Sequence, residues 1–130
     1  MSVHDGNAYL VWVNTVLYGV SPSIADNFTI DLSKATCVSG HTLGNYHNKC
    51  KEVKLPKSSP CTYIGDDSFY DGSVINSNLS DSEKADIPAN IRHIGNSAFS
   101  GCSKMFKSKL SFPSTLKEVG PSAFSRCSSI

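Results

Sequence analysis

The chain has 130 residues, which is room for one ordinary domain. Its residues are 39% hydrophobic and 18% charged, a balance typical of folded proteins and unlike that of disordered chains. Twelve Lys and Arg residues against 11 Asp and Glu residues give a formal charge of +1. No global basic field would therefore attract nucleic acid or an anionic membrane, and neither partner is expected.

The first 27 residues lack the repeat described below and are expected to form an atypical N-terminal segment or cap. Apolar side chains alternate over residues 9–14, which predicts one or two strands, and Tyr-Gly-Val-Ser-Pro over residues 18–22 predicts a turn. The apolar run over residues 8–20 is too short and too polar to span a bilayer. It also lacks the basic start and cleavage site of a secretory signal. The chain shows no export address, which a mature fragment would also lack.

A repeat begins at residue 28 and is clearest near the C-terminus. The 13 residues from Ile87 to Phe99 and the 13 from Phe112 to Phe124 share one pattern. Each has a large apolar residue before Pro, an aliphatic residue three positions after it, an aliphatic-Gly pair and then Ser-Ala-Phe. Each is followed three residues later by Cys102 or Cys127. Such self-similarity at a fixed period is typical of a solenoid.

Two earlier copies are less regular. One runs from Val53 to Phe69 with two extra residues in its turn, and a degenerate one pairs residues 28–30 with residues 43–46. The glycines Gly44, Gly65, Gly95 and Gly120 mark the four copies and predict about four coils over residues 28–130. The longest step between glycines contains a polar insertion at about residues 76–84, which is predicted to be a surface loop.

Each copy has a consistent physical interpretation. A period-2 alternation predicts a short strand with one inward face, and the following Pro ends its pairing. The aliphatic-Gly step predicts a tight corner, and Ser-Ala-Phe predicts a short helical or 3₁₀ turn. Strands are predicted at Phe28/Ile30, Val53/Leu55 and Leu110/Phe112. Stacked coils would align two columns of core residues, Ile64, Ile94 and Val119 in one and Phe69, Phe99 and Phe124 in the other.

These residues resemble the BspA-type leucine-rich repeat of surface proteins from bacteria and parasitic protists. The resemblance covers about residues 28–130, with the copies at Ile87–Phe99 and Phe112–Phe124 matching nearly every fixed position and Gly72 replacing the Cys of the copy before them. It implies a leucine-rich-repeat solenoid, an α/β but strand-rich fold of short parallel strands stacked in an arc. It also implies an extracellular or cell-surface location, a role in adhesion or partner binding, no cofactor and no catalysis.

The five cysteines leave several alternatives open. Cys102 and Cys127 share one repeat position, which favours buried free thiols in neighbouring coils, although a disulfide between them is conceivable. The irregular first half contains Cys37, Cys50 and Cys61, two of which could pair if the protein is extracellular.

Metal binding and catalysis receive little support from the sequence. Cys37, His41, His47 and Cys50 fall within 14 residues, but their spacing lacks the paired form typical of zinc sites. A Cys nucleophile with His41, His47 or His93 as its base would need an exposed thiolate of low pKa, whereas repeat cysteines are expected in the core. We therefore expect no metal and no enzymatic activity.

The predicted function is non-catalytic protein or cell-surface recognition. An alternative is a structural, self-assembling segment of a larger surface protein, with homo-oligomers forming through an uncapped C-terminal coil that exposes Leu110, Phe112, Val119 and Phe124. Side chains alternate along a strand, so the outward positions are the binding candidates. These are Thr29, Lys54 and Ser111, flanked by Glu52 and Lys109.

Overall fold

The computed structural model describes residues 10–20 and 27–127, apart from the side chain of Asn45. Three features predicted from the sequence lie outside these residues: the start of the first strand at Tyr9, the Ser-Pro end of the predicted turn, and the C-terminal residue Ile130. No helix among the described residues has the length and apolar character needed to cross a membrane. The strands are β1 (Leu10–Val13), β2 (Val16–Val20), β3 (Phe28–Asp31), β4 (Cys37–Val38), β5 (Cys50–Lys54), β6 (Tyr63–Ile64), β7 (His93–Ile94) and β8 (Glu118–Val119), with 3₁₀ turns at Gly44–Tyr46 and Asp81–Glu83.

Six of the strands form one sheet in the order β1-β2-β4-β6-β7-β8. The first pair is antiparallel and every later pair is parallel. One inward-facing residue from each parallel strand contributes to a continuous column, which is buried except at its last member, Val119, where the side chain is 50% exposed. This column contains Leu17, Val38, Ile64, Ile94 and Val119. The predicted strand-rich solenoid of about four stacked coils is confirmed, and the β1-β2 hairpin extends its sheet. The division of the chain at residue 27 stays a prediction.

A second sheet forms the other side of the coils. Strands β3 and β5 pair in parallel, so the strands predicted there are confirmed. The ladder continues as the Asp86 N–H donates to the Leu55 carbonyl at 2.8 Å, and Ala85 forms a parallel bridge with Phe106. The strand predicted at residues 110–112 is wrong, because Phe106 occupies the pairing position of the fourth coil and packs in the core.

The phenylalanine column is confirmed. The rings of Phe69 and Phe99 stack with centroids 5.5 Å apart, and Phe124 stacks on the other face of Phe99 at the same distance. Phe106 meets the Phe99 ring edge-on at 4.8 Å. The repeated Ser-Ala-Phe therefore places one ring per coil into a shared apolar stack, where burial of aromatic surface stabilises the fold.

The first coil has a different register from the one that the sequence predicts. The Leu43 N–H donates to the Ser68 carbonyl, as the Phe69 N–H donates to the Ala98 carbonyl. Leu43 therefore occupies the position that Phe69 has in the next coil. The assignment of Gly44 as a corner glycine is wrong, because this residue begins a 3₁₀ turn with a φ of 52°.

Three corner glycines are needed for close packing of coils rather than for unusual backbone angles. A Cβ atom at Gly65 would overlap the backbone of the preceding coil at Gly40. One at Gly95 or Gly120 would overlap Asp66 or Asn96, respectively. None of the three glycines has a positive φ. Their role is thus to let the corner of one coil rest directly against the next.

The polar insertion is only partly a surface loop. Residues 77–83 are exposed or half-buried, but Asn76 is buried. The amide of Asn76 accepts a hydrogen bond from the Val53 N–H and donates to the carbonyls of Val53 and Met105. The prediction of a surface position is wrong for Asn76, because its side chain gives the buried Val53 N–H an acceptor and the two carbonyls a further donor.

Candidate functional site

A groove of about 720 Å³ lies over the outer face of the second sheet. Strands β3 and β5 form its floor together with the third and fourth coils, and the insertion forms one wall. Its lining consists of Asp31, Ser33, Glu52, Lys54, Leu55, Pro56, Lys57, Leu79, Ser82, Glu83, Lys84, Asp86 and Lys107.

Charges of opposite sign alternate across the floor of the groove. Asp31 and Lys54 are direct partners in the β3-β5 ladder. In the next two coils, the Lys107 Nζ lies 2.7 Å from Asp86 Oδ2. These four side chains come from four successive coils, and their signs alternate from one coil to the next. Opposite charges on adjacent strands stabilise the ladder by up to about 1 kcal/mol per pair.

The carboxylate of Asp31 is held in its charged form. Burial alone would raise its pKa, but hydrogen bonds from Ser33 and the positive charges of Lys54 and Lys34 outweigh this effect and leave the pKa below its ordinary value. One of those bonds joins the Ser33 N–H to Asp31 Oδ1 at 2.9 Å. The Asp31 side chain therefore remains negatively charged at neutral pH.

The wall of the groove is fixed by hydrogen bonds. Glu83 Oε1 accepts bonds from the N–H and the hydroxyl of Ser80, at 3.2 and 2.9 Å, in a capping box. Asp81 Oδ1 accepts the Ser108 N–H at 2.8 Å and joins the wall to the fourth coil. The groove is thus bordered by a structured turn.

The structure brings together some of the predicted binding residues and separates others. Glu52 and Lys54 line the groove, and Thr29 is the ladder partner of Glu52. Lys109 and Ser111 are exposed but do not line it. The predicted single stripe of Thr29, Lys54 and Ser111 is wrong, because the ladder pairs Thr29 with Glu52 and pairs Lys54 with Asp31. Whether these five residues bind a ligand stays a prediction.

Sequence reasoning missed Asp31, Asp86 and Lys107. The first two could have been found, since each directly precedes a buried aliphatic residue, as Lys54 precedes Leu55. Lys107 has no such signal, because the fourth coil reaches the second sheet at Phe106, earlier than its repeat pattern predicts.

The outer face of the six-stranded sheet has a second row of side chains that contact one another. Tyr63 and His93 stack with ring centroids 4.5 Å apart and an interplanar angle of 7°. His93 Nδ1 lies 3.1 Å from Glu118 Oε1 in the next coil. Cys37 precedes Tyr63 in the same row. Each side chain in this row contacts its neighbours through strand pairing.

The thiols are poor nucleophiles. All five are free in the structure. Burial raises the pKa of Cys50 and of Cys61 to about 12, and burial also raises the pKa of Cys37, Cys102 and Cys127. A thiol with a raised pKa holds little of the reactive thiolate at neutral pH.

The two repeat cysteines have local acceptors. The Cys102 thiol donates to the Phe69 carbonyl at 3.0 Å, and the Cys127 thiol donates to the Phe99 carbonyl at 3.1 Å. Each thiol therefore links its own coil to the backbone of the preceding one. Within residues 10–20 and 27–127, no three His, Cys, Asp or Glu side chains come together as a metal site.

Comparison with known proteins identifies part of the chain. Residues 78–130 match the family model described as the BspA type leucine rich repeat region (6 copies). Residues 28–77, which the sequence pattern also assigns to the repeat, lie outside this match. No curated protein and no solved structure matches the chain significantly. The matched residues include the third and fourth coils, with their aliphatic-Gly corners, stacked phenylalanines and inward thiols. Residues 78–130 are therefore similar to a BspA-type leucine-rich repeat region.

Proposed function

We propose that this chain is a non-catalytic binding module that recognises a protein or another cell-surface ligand through its solenoid. The observation that carries the proposal is the groove over the second sheet, with one charged residue from each of four coils on its floor. Leucine-rich repeats in general mediate contacts between proteins, and the BspA-type family is typically surface-associated. An extracellular or cell-surface location and a role in adhesion follow as parts of the same proposal.

The balance of charge in the groove favours a polypeptide ligand. Its lining has four acidic residues, Asp31, Glu52, Glu83 and Asp86, and four basic residues, Lys54, Lys57, Lys84 and Lys107. These charges cancel in sum but alternate in space. Complementary charges on a partner give specificity and orient it during association. An extended segment with alternating charges would match the pattern of the floor, whereas a uniformly charged polymer would meet repulsion at every second coil.

Charge reversal tests the groove. We expect Lys54→Glu to weaken binding of a captured protein ligand by at least about tenfold, because it places a negative charge beside Asp31 and reverses the pattern that a partner must match. Protein and glycan arrays would first provide the ligand, and surface plasmon resonance would measure its dissociation constant.

Lys104→Glu is the matched control, since Lys104 is exposed and lies outside the groove lining. Equal affinities of the two variants would show that the ligand binds elsewhere. Equal denaturation midpoints would confirm that both variants keep the fold.

A second candidate function is self-assembly through the C-terminal coil. Strand β8 pairs with β7 and has no second partner among residues 10–20 and 27–127. Val119 on this strand is 50% exposed, and Phe112 in the same coil is 48% exposed. An unpaired edge next to exposed apolar side chains favours pairing with a second copy of the chain.

Analytical ultracentrifugation tests this second candidate. We expect the wild-type chain to sediment as a dimer at high micromolar concentration and Phe112→Lys to shift it toward monomer. Tyr70→Lys is the control, because Tyr70 is similarly exposed but is not in this coil. A wild-type chain that stays monomeric would exclude assembly through this edge.

A further inference from the structure

A small pocket lies at the start of the last two strands of the six-stranded sheet. It has a volume of about 340 Å³ and is lined by Arg92, Ser114, Thr115 and Lys117. The Lys117 N–H donates to the Arg92 carbonyl at 2.9 Å, so the two basic residues are neighbours on adjacent coils. The lining contains two cations, two hydroxyl groups and no acidic side chain.

This pair of like charges is an exception in the ladder. Elsewhere, charged side chains on neighbouring coils have opposite signs, as in Asp31 with Lys54 and Asp86 with Lys107. Like charges directly opposite each other destabilise a sheet. Arg92 has no acidic partner among the described residues, so its charge is not neutralised by this part of the chain. A bound anion would relieve the repulsion.

The same column in the earlier coils contains no charge. Backbone hydrogen bonds join Thr15 to Thr36, Thr36 to Thr62 and Thr62 to Arg92. The hairpin and the first two coils thus have threonine where the last two coils have Arg92 and Lys117. Threonine satisfies the fold at this position, so the fold itself does not require the two cations.

Hydrogen bonds fix the positions of two residues that line the pocket. The Thr115 hydroxyl donates to the Ile91 carbonyl at 2.8 Å and lies 3.2 Å from the Ala89 carbonyl, which fixes the turn of the fourth coil against the third. Lys117 Nζ donates to the Ser114 carbonyl at 3.3 Å, which positions the ammonium group at the rim. The Thr115 and Lys117 side chains are therefore held in position by the protein itself.

We propose that this pocket binds a sulfate or phosphate ester on a ligand about the size of a sugar. An arginine guanidinium binds such oxyanions through two parallel hydrogen bonds, and lysine adds a point charge. The Ser114 hydroxyl belongs to a lining residue and would donate a further bond. The volume is at the lower end of the range for small-ligand sites, about 300 to 1,000 Å³. This site is separate from the groove and does not depend on the function proposed for it.

Nuclear magnetic resonance titration of the ¹⁵N-labelled chain tests the proposal with three probes: glucose 6-sulfate, glucose 6-phosphate and glucose. We expect the two charged probes to shift the amide signals of residues 91–93 and 114–118 saturably, and glucose to leave them unchanged. The tighter of the two charged probes identifies the source of the oxyanion as a sulfate or a phosphate ester.

Charge-neutralising variants locate the site. Arg92→Gln and Lys117→Gln should each weaken binding about tenfold, the effect of losing one hydrogen bond to a charged group. Lys104→Gln, which removes an exposed charge elsewhere in the fourth coil, should leave it unchanged. The proposal is overturned if neither charged probe shifts these signals, if glucose shifts them equally, or if Lys104→Gln weakens binding as much as Arg92→Gln.

Discussion

Replacing Phe99 by alanine is expected to lower the free energy of unfolding by about 3 to 5 kcal/mol, as truncation of a buried aromatic ring does. The Phe99 ring is fully buried. It stacks between Phe69 and Phe124 and meets Phe106 edge-on. Its removal would leave a cavity that three aromatic neighbours line, and their stacking limits how far they can collapse into it. Denaturation in urea, extrapolated linearly to water, measures the change.

Phe112→Ala is the matched control for this loss of one ring. Phe112 is 48% exposed and touches the column only through Phe124, at 5.5 Å between ring centroids. We expect it to cost about 1 kcal/mol or less, as most substitutions at exposed positions do. Similar losses for the two variants would mean that Phe99 is not the centre of a packed column.

The columns of the core could be predicted because the spacing within the repeat determines which residues of neighbouring coils are aligned. Two copies with the same internal spacing must place Ile94 above Val119 and Phe99 above Phe124 if they stack at all. The first coil lacks that information, since Leu43 replaces the phenylalanine and the corner has Ser39 opposite Gly65. The spacing therefore predicts Gly44 as the corner residue, whereas Ser39 occupies the corner.

The prediction of a strand at residues 110–112 is wrong for a different physical reason. Leu110 and Phe112 alternate as a strand does, but alternation does not decide which of two nearby phenylalanines enters the core. Phe106 is fully buried against Phe99, and it pairs with Ala85. Phe106 is therefore the phenylalanine that packs in the core, and Phe112 lies at the surface. The same shift explains why Lys107, and not Ser111, completes the charge pattern of the groove.

The charged floor of the groove could be predicted only in part. Outward positions on a strand follow from alternation, which identified Glu52 and Lys54. Their partners depend on the register between β3 and β5, and that register shifts between Phe28 and Thr29. A single-residue shift of this kind has no clear signature in the sequence, so the pairing of Asp31 with Lys54 required the structure.

Asn76 shows a further limit of sequence reasoning. It begins a run rich in Ser, Asn and Asp, and composition assigns such a run to the surface. Yet its side chain stands between two coils, where it bonds to the Val53 N–H at 3.0 Å, the Val53 carbonyl at 3.2 Å and the Met105 carbonyl at 3.0 Å. An amide has both a donor and an acceptor, so it can imitate the backbone of a missing strand.

Replacing Asn76 by alanine is expected to destabilise the fold by about 3 kcal/mol, because the buried Val53 N–H loses its acceptor and the carbonyls of Val53 and Met105 each lose a donor. The φ of Asn76 is 60°, a conformation that alanine adopts at a cost, so Asn76→Gly separates the two effects. Glycine accepts this angle but also lacks the amide. We expect Asn76→Gly to retain most of the loss seen for alanine, as measured by urea denaturation.

The control for Asn76 is Asn90→Ala, which removes the same group from an exposed turn in the third coil. It should change the free energy of unfolding by about 0.5 kcal/mol or less. If Asn76→Gly proves as harmless as Asn90→Ala, backbone strain rather than the three hydrogen bonds explains the alanine result. A loss in both Asn76 variants but not in Asn90→Ala would instead show that the buried amide stabilises the fold by bonding to Val53 of the second coil and to Met105 at the start of the fourth.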